Sequence, residues 1–369
     1  MTTPRQFTDG ISCSNAVFGD PLPGITKECQ TRNLAGGGSS LPPPPPPSPP
    51  SGVTYPASYY TGPLGQRNPL PSKTGAFLLT WAGSTGCDWA CIKAQIAERE
   101  QATGRRFDGI GNAWRPHESE RVEQWIHDRG SLPIITWNVG SPQDVISGAR
   151  DSAIIEFANY LKAYNFIVMV RLFHEFDLPH TSYHACGDTF IAQWRRVVDV
   201  FRQQGVTNVG FWWSPTEGAN RACVEGSYPG DSYVDWVGTD GYNWVYVGED
   251  KWATPMHSGW AEFSEIFDYP PGPGYQSYYS QYGPRKPFIV GETGTVYDTN
   301  LPSKKGDWFR NIVPAAKQMQ HLTGIMFFDQ DVSSVEGSKH NWLVDYPRSN
   351  PDVYAGFVAM ARDPHFNTR

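Results

Sequence analysis

The fold is decided by a ten-residue apolar stretch that ends on an acid. Residues 166–175 read FIVMVRLFHE, an apolar and β-rich run that closes on His174 and Glu175. A continuous apolar run of this length is typical of a strand buried on both faces, as in a parallel sheet. Side chains alternate along a strand, so Arg171, Phe173 and Glu175 are predicted to share one face, with Arg171 and Glu175 both pointing inward.

Runs of the same kind recur along the chain from about residue 55, and amphipathic helical patterns separate them. The eight predicted strands are Ala76–Trp81, Phe107–Asn112, Leu132–Trp137, Phe166–Glu175, Asn208–Trp213, Trp236–Tyr242, Pro287–Glu292 and Gly324–Asp329. The predicted helices are Cys91–Thr103, Glu118–Asp128, Ser152–Tyr164, Asp188–Gln204 and Lys305–Gln320. Eight alternations of buried strand and helix favour an α/β fold of the (β/α)8 TIM barrel type. An open doubly wound sheet is the alternative, but the sequence has no glycine-rich nucleotide loop to support it.

Two glutamates stand at the ends of predicted strands, Glu175 on the fourth and Glu292 on the seventh. In a barrel the carboxyl ends of the strands meet at one face, so these two carboxyl groups are expected to converge. A buried Arg171 needs an acceptor, and Glu292, which by the same alternation shares a face with Val290 and Phe288, is the predicted one. That contact would keep Glu292 ionised, whereas an aromatic cleft and a nearby negative charge would keep Glu175 protonated. Cleavage of a sugar acetal needs such a pair, one acid and one carboxylate.

Three strand-end motifs resemble one family of enzymes. The motifs are RLFHE at residues 171–175, GTDGYN at residues 238–243 and VGETG at residues 290–294, and they resemble glycoside hydrolase family 26. The resemblance extends from about residue 73 to the end of the chain. It implies a barrel enzyme that hydrolyses a β-glycan with retention of anomeric configuration.

The resemblance also implies roles for individual residues. Glu175 matches the acid/base, Glu292 the nucleophile, His174 the neighbour of the acid/base, and Tyr242 a phenol that hydrogen-bonds the nucleophile. Retention predicts carboxyl groups about 5 to 5.5 Å apart. The family acts on β-mannans, mixed-linkage β-glucans and β-1,3-xylans, and we predict β-1,4-mannan first because it is the commonest family activity. A catalytically inactive carbohydrate-binding barrel is the alternative from another class.

Further polar and aromatic residues near strand ends are candidates for sugar contacts, although a packed tryptophan at a barrel rim is an equally good interpretation. The predicted substrate-binding set is Arg171, His174, Tyr242, His117, Trp114, Trp137, Trp213, Trp244 and Asp329. We predict no metal and no cofactor, since the histidines around Glu175 lack HExxH spacing.

The N-terminal region has a different composition from the rest. Residues 1–34 are predicted to be the tail of an accessory, carbohydrate-binding module, residues 35–56 a Gly/Ser/Pro-rich linker, and residues 57–369 the catalytic domain. Local pairing is predicted for the six cysteines: Cys13 with Cys29, Cys87 with Cys91, and Cys186 with Cys223.

Composition narrows the partners and the compartment. The net charge of −7, with 30 Lys and Arg spread along the chain, gives no basic stripe for nucleic acid. No run reaches the roughly 20 apolar residues of a membrane span. Paired cysteines favour a secreted protein, with the export signal lying outside this sequence. We predict a monomer whose partner is a β-linked polysaccharide or oligosaccharide.

Overall fold

The computed structural model describes residues 75–84, 87–113, 121–218, 220–244, 260–269, 276–333 and 340–366. The predicted module at residues 1–34, the linker at residues 35–56 and the Cys13–Cys29 pair therefore lie outside the described residues. So do two candidate sugar-binding residues, Trp114 and His117.

Eight parallel strands close into a barrel in chain order, which confirms the predicted (β/α)8 fold and excludes the open sheet. The strands are β1 Phe77–Ser84, β2 Gly109–Ala113, β3 Leu132–Trp137, β4 Val168–Leu172, β5 Val209–Trp213, β6 Trp236–Val237, β7 Phe288–Thr293 and β8 Leu322–Asp331. Pairing of β1 with β8, which starts at Phe77 opposite Gly324, closes the ring.

Helices connect the strands and cover the outside of the barrel. They are α1 Trp89–Thr103, α2 Val122–Asp128, α3 Pro142–Ile146, α4 Asp151–Lys162, α5 Gly187–Gln203, α6 Arg221–Glu225, α7 Phe263–Phe267, α8 Tyr278–Tyr282, α9 Lys304–Gln318 and α10 Pro351–Ala361. On α5 the apolar side chains, which include Phe190 and Trp194, are buried. Within the residues described, no helix is both long and apolar enough to span a membrane.

The core has two separate layers. An inner cluster fills the barrel with side chains from seven of the strands: Phe77, Leu79, Leu132, Ile134, Met169, Trp212, Trp236, Ile289 and Met326. A larger outer cluster packs the strands against the helices. The inner layer makes the barrel a packed core, so a substrate can reach only the rim where the strands end.

Two covalent links and local caps fix the loops around this rim. Disulfides join Cys87 to Cys91 and Cys186 to Cys223, as predicted. The second one ties the start of α5, after β4, to α6, after β5. At the start of α1, the Asp88 carboxylate accepts the Cys91 N–H at 2.8 Å, which satisfies one of the free amides of the first turn.

The strand alternation predicted around the two glutamates is wrong at both ends. Strand β4 ends at Leu172, and Phe173 and Glu175 adopt left-handed backbone angles with φ of 48° and 50°. Phe173 consequently packs in the outer layer with Tyr183 and Phe190, away from the interior face of Arg171. The backbone conformation of this turn, rather than the alternation of a strand, therefore sets the direction of the Glu175 side chain.

The end of β7 departs from regular alternation as well. Phe288 and Val290 belong to the outer layer, while Ile289 between them belongs to the inner cluster. Strict alternation would place Glu292 on the outside with its neighbours. A register irregularity between Val290 and Thr293 instead turns Glu292 toward the barrel interior.

Candidate active site

Strand β7 presents Glu292 to two hydrogen-bond donors. The Tyr242 hydroxyl donates to Glu292 Oε2 at 2.5 Å, and the Arg171 guanidinium donates to Oε1. Arg171 is completely buried, so it needs a carboxylate partner, as the sequence predicted. Burial and the charges of Glu292 and Glu175 raise the pKa of Tyr242 well above its usual value, which keeps the phenol protonated and donating.

A second carboxylate completes the environment of the arginine. Asp240 accepts a hydrogen bond from Arg171 through Oδ2 and one from the Ser214 hydroxyl at 2.9 Å through Oδ1. The absence of a side chain at Gly291 leaves space for the Asp240 carboxylate and the Ser214 hydroxyl. A Cβ at that position would stand 2.3 Å from Asp240 Oδ1 and 2.4 Å from Ser214 Oγ, so no larger residue fits.

Glu175 approaches from the turn that follows β4. Its backbone N–H donates to the Ser214 carbonyl at 2.9 Å. Within the part of the chain that the structure describes, no side chain donates a hydrogen bond to its carboxyl group. Burial, followed by the negative charge of Glu292, raises the pKa of Glu175 to about 8, an effect that Arg171 opposes and Asp177 reinforces. The protonated form of Glu175 therefore predominates at neutral pH, whereas the Glu292 carboxyl group accepts hydrogen bonds from two side chains.

The two glutamates are close enough to act on one bond. One carboxylate oxygen from each of Glu175, Asp240 and Glu292 lies within 4.8 Å of the others. Retaining glycosidases hold their carboxyl groups about 5 to 5.5 Å apart, and inverting ones about 6.5 to 9.5 Å. The 4.8 Å limit lies below the inverting range.

His174 lies beside the acid in a neutral state. Burial and then the charge of Arg171 lower the pKa of His174 well below its usual value. Its Nδ1 is 3.3 Å from the Tyr183 hydroxyl, which orients the ring. A neutral imidazole can donate or accept one hydrogen bond at its other nitrogen, which suits a sugar hydroxyl.

An aromatic wall, consisting of Trp81, Tyr242, Trp244, Phe328 and Trp342, lines the rim next to Glu292. The ring centroid of Tyr242 is 4.5 Å from that of Trp342 and 6.0 Å from that of Phe328. Trp342 also packs against Trp244, at 4.9 Å, and Phe328 against Trp81, at 6.1 Å. All except Trp342 are partly exposed, so a sugar ring can stack on them.

Tyr242 and Trp244 were predicted as site residues from the sequence, whereas Trp81, Phe328 and Trp342 were not. Trp81 and Phe328 carried a usable signal, because each lies two residues after an interior residue, Leu79 and Met326 respectively. Trp342 comes from the segment after β8 and carried no periodic signal. Ser214 and Asp240, which support Arg171, were missed as site residues because their roles depend on contacts between different strands.

Three predicted sugar-binding residues lie near the ends of their strands but are buried against other protein groups. Trp137 packs against Phe157 in the outer layer with ring centroids 4.3 Å apart, and Trp213 is fully buried in the same layer. Asp329 is 1% exposed and accepts Arg99 Nε at 3.0 Å. Its other oxygen accepts the Val344 N–H, which helps hold the segment that carries Trp342.

The described residues contain two groups that have the composition of a metal site. The first is His184 with Cys186 and Cys223, but the two sulfurs form a disulfide and are not available as thiolates. The second is Glu175 with Asp240 and Glu292, where the guanidinium of Arg171 already bridges two of the carboxylates.

The strands and the paired carboxyl groups define the chain as a (β/α)8 barrel with a two-glutamate site at its carboxyl-terminal face. The model of glycosyl hydrolase family 26 matches residues 139–260, which include Glu175 and Tyr242. This match confirms the predicted family resemblance over two of the three strand-end motifs, those at residues 171–175 and 238–243.

One protein is similar to this chain in sequence and two are similar in structure. Endoglucanase H of Acetivibrio thermocellus is 30% identical over 178 residues, covering 45% of this chain; the chain spans 18% of that protein's length. A modular endo-β-1,4-mannanase from Cellulomonas fimi superposes with a TM-score of 0.53 at 17% identity, covering 84% of this chain and 73% of that one. A family 26 β-mannanase from Bacteroides ovatus gives a TM-score of 0.52 at 16% identity, covering 79% and 90%. At these identities the two structures support the fold alone.

Proposed function

We propose that this protein is a retaining endo-β-glycanase in which Glu175 is the acid/base and Glu292 the nucleophile. The observation that carries the proposal is the pairing of a proton-retaining glutamate with a doubly hydrogen-bonded one, with their oxygens within 4.8 Å. Opposed environments of two nearby carboxyl groups assign opposed catalytic roles.

The reaction proceeds by double displacement. Glu292 attacks the anomeric carbon while Glu175 gives its proton to the glycosidic oxygen, so the C–O bond breaks and a glycosyl ester forms on Glu292. Glu175, now ionised, takes a proton from a water molecule whose oxygen attacks the anomeric carbon. The ester bond breaks, Glu292 leaves as a carboxylate, and Glu175 is protonated again. Two inversions at one carbon retain its configuration.

The first candidate substrate is β-1,4-mannan, predicted from the commonest activity of the family. A second candidate, mixed-linkage β-1,3-1,4-glucan, is favoured by the 30% identity to a protein named an endoglucanase. β-1,3-Xylan is the third member of the set. The aromatic wall supports action on a polysaccharide, because stacked side chains can hold consecutive sugar rings.

We further propose that the protein works outside the cell as a monomer. Two disulfides among the described residues favour an oxidising compartment. Residues 1–34 are proposed as an accessory module tail and residues 35–56 as a linker to the catalytic domain at residues 57–369.

The decisive experiment combines a substrate panel with product stereochemistry. Reducing-end release is measured on galactomannan, glucomannan, barley mixed-linkage glucan and β-1,3-xylan, and proton NMR identifies the anomer that forms first. We expect release from one backbone with β product appearing before mutarotation. An α product would overturn the retaining mechanism, and a folded protein silent on all four glycans would favour a carbohydrate-binding barrel.

A further inference from the structure

The position of the Glu175 carboxyl group depends on its backbone. Among the described residues it has no hydrogen-bonded side-chain donor, whereas Glu292 has two. The turn that carries Glu175 is unfavourable in itself, because Phe173 and Glu175 both adopt left-handed φ angles that are costly for residues with a Cβ. Contacts from the surrounding structure must therefore hold this turn.

Asp177 supplies the most specific of these contacts. Its side chain is completely buried, and both carboxylate oxygens accept hydrogen bonds from Thr216. Oδ1 accepts the Thr216 backbone N–H at 3.0 Å, and Oδ2 accepts the Thr216 hydroxyl. Asn220 adds a longer bond to the Asp177 carbonyl at 3.3 Å. A buried carboxylate whose two oxygens each accept a hydrogen bond is fixed in place.

These bonds continue the contact made by Glu175 itself. The Glu175 N–H bonds the Ser214 carbonyl, and two residues further on Asp177 bonds Thr216, so the turn is joined to the segment after β5 at two successive points. That segment is anchored in turn to Asp240, whose N–H donates to the Pro215 carbonyl and whose carbonyl accepts the Glu217 N–H. The hydrogen bonds that hold the turn of Glu175 thus extend to Asp240, whose carboxylate binds Arg171.

We propose that Asp177 is a positioning residue that holds Glu175 in place for proton donation by locking residues 173–177 onto residues 214–216. It does not touch the reacting atoms. The inference rests on the proposed function, because it assigns a role within the acid/base step. Weakening the lock should impair protonation of the leaving group and leave attack by Glu292 intact.

Aryl glycosides separate these two effects. A 2,4-dinitrophenyl group leaves without a proton, whereas a phenyl group or a sugar needs one. For Asp177→Asn, measured on aryl β-mannobiosides or β-cellobiosides according to the glycan cleaved, we expect kcat/KM for the phenyl glycoside to fall about 10- to 100-fold. The dinitrophenyl glycoside should stay within about 3-fold, since attack by Glu292 is unaffected.

Two further variants complete the test. Thr216→Val removes the hydroxyl donor but keeps the backbone one, so it should give a smaller loss with the same dependence on leaving group. Asp128→Asn, at an exposed aspartate near the end of α2, is the matched control and should change neither rate. If Asp177→Asn does not fold, as judged by thermal unfolding, Thr216→Val decides the question.

The outcomes are distinct. Equal losses on both leaving groups, or no loss on either, would overturn the positioning role while leaving the proposed function standing. A folded wild-type protein that cleaves none of the four polysaccharides and none of the aryl glycosides would overturn the proposed function, and the inference with it.

Discussion

The end of β7 and the turn after β4 hold their glutamates in opposite ways. Glu292 is fixed through its carboxylate, by the guanidinium of Arg171 and the hydroxyl of Tyr242. Glu175 is fixed through its backbone, by a bond to Ser214 and by the Asp177 contacts with Thr216.

The difference fits the roles proposed for the two residues. Donors aimed at a carboxylate stabilise its negative charge, which suits a nucleophile but would cost an acid its proton. A residue that must keep its proton and still be held in place is better positioned by its main chain. The strained turn at Phe173 and Glu175 is the visible cost of that solution.

The largest expected effect comes from removing each glutamate in turn. Glu292→Ala should reduce polysaccharide cleavage by roughly 10⁴-fold or more, because no covalent intermediate can form. Glu175→Ala should cost about 10² to 10⁴-fold. Added azide tells the two apart: in Glu175→Ala it should attack the glycosyl-enzyme and give a β-glycosyl azide, and in Glu292→Ala it should enter from the vacated side and give the α-azide.

Proton NMR of the azide products is the measurement, and Glu156→Gln, at an exposed position on α4, is the control that should behave as wild type. Exchanged stereochemistry between the two variants would reverse the assignment of the acid/base and the nucleophile.

A smaller effect should follow from weakening the hold on Glu292. Tyr242→Phe keeps the ring in the aromatic wall but removes a charge-assisted hydrogen bond, worth about 1.5 to 3 kcal/mol, so kcat/KM should fall about 10- to 150-fold. Because attack by Glu292 accompanies the departure of either leaving group, phenyl and dinitrophenyl glycosides should be affected alike, in contrast to Asp177→Asn. Tyr269→Phe, at a residue 66% exposed, serves as the control. A loss confined to the phenyl glycoside would place Tyr242 in the acid step instead.

The same contrast explains what could be predicted from the sequence. Buried parallel strands have continuous apolar runs, so the eight strands and the barrel were predictable from the pattern of such runs along the chain. Arg171 needed a partner wherever it was buried, which made its bond to Glu292 predictable too. Alternation failed at Glu175 and Glu292 because a left-handed turn and a register irregularity interrupt the strands there. Such departures depend on tertiary contacts, and they concentrate at functional sites.

The smallest expected effect is a change in the pH dependence of activity. Because the pKa of Glu175 is raised to about 8, the acid form predominates below that pH, and kcat/KM on a polysaccharide should fall as the pH rises through about 8. A dinitrophenyl glycoside needs no proton from Glu175 and should not show this fall.

In Glu292→Gln the neighbouring negative charge is gone, so the pKa of Glu175 should move down while burial keeps it above the ordinary value. NMR titration of ¹³C-labelled glutamate carboxyl groups measures that shift directly. An unchanged midpoint would mean that burial alone protects the proton, and that the two glutamates, although differently held, do not influence each other's ionisation.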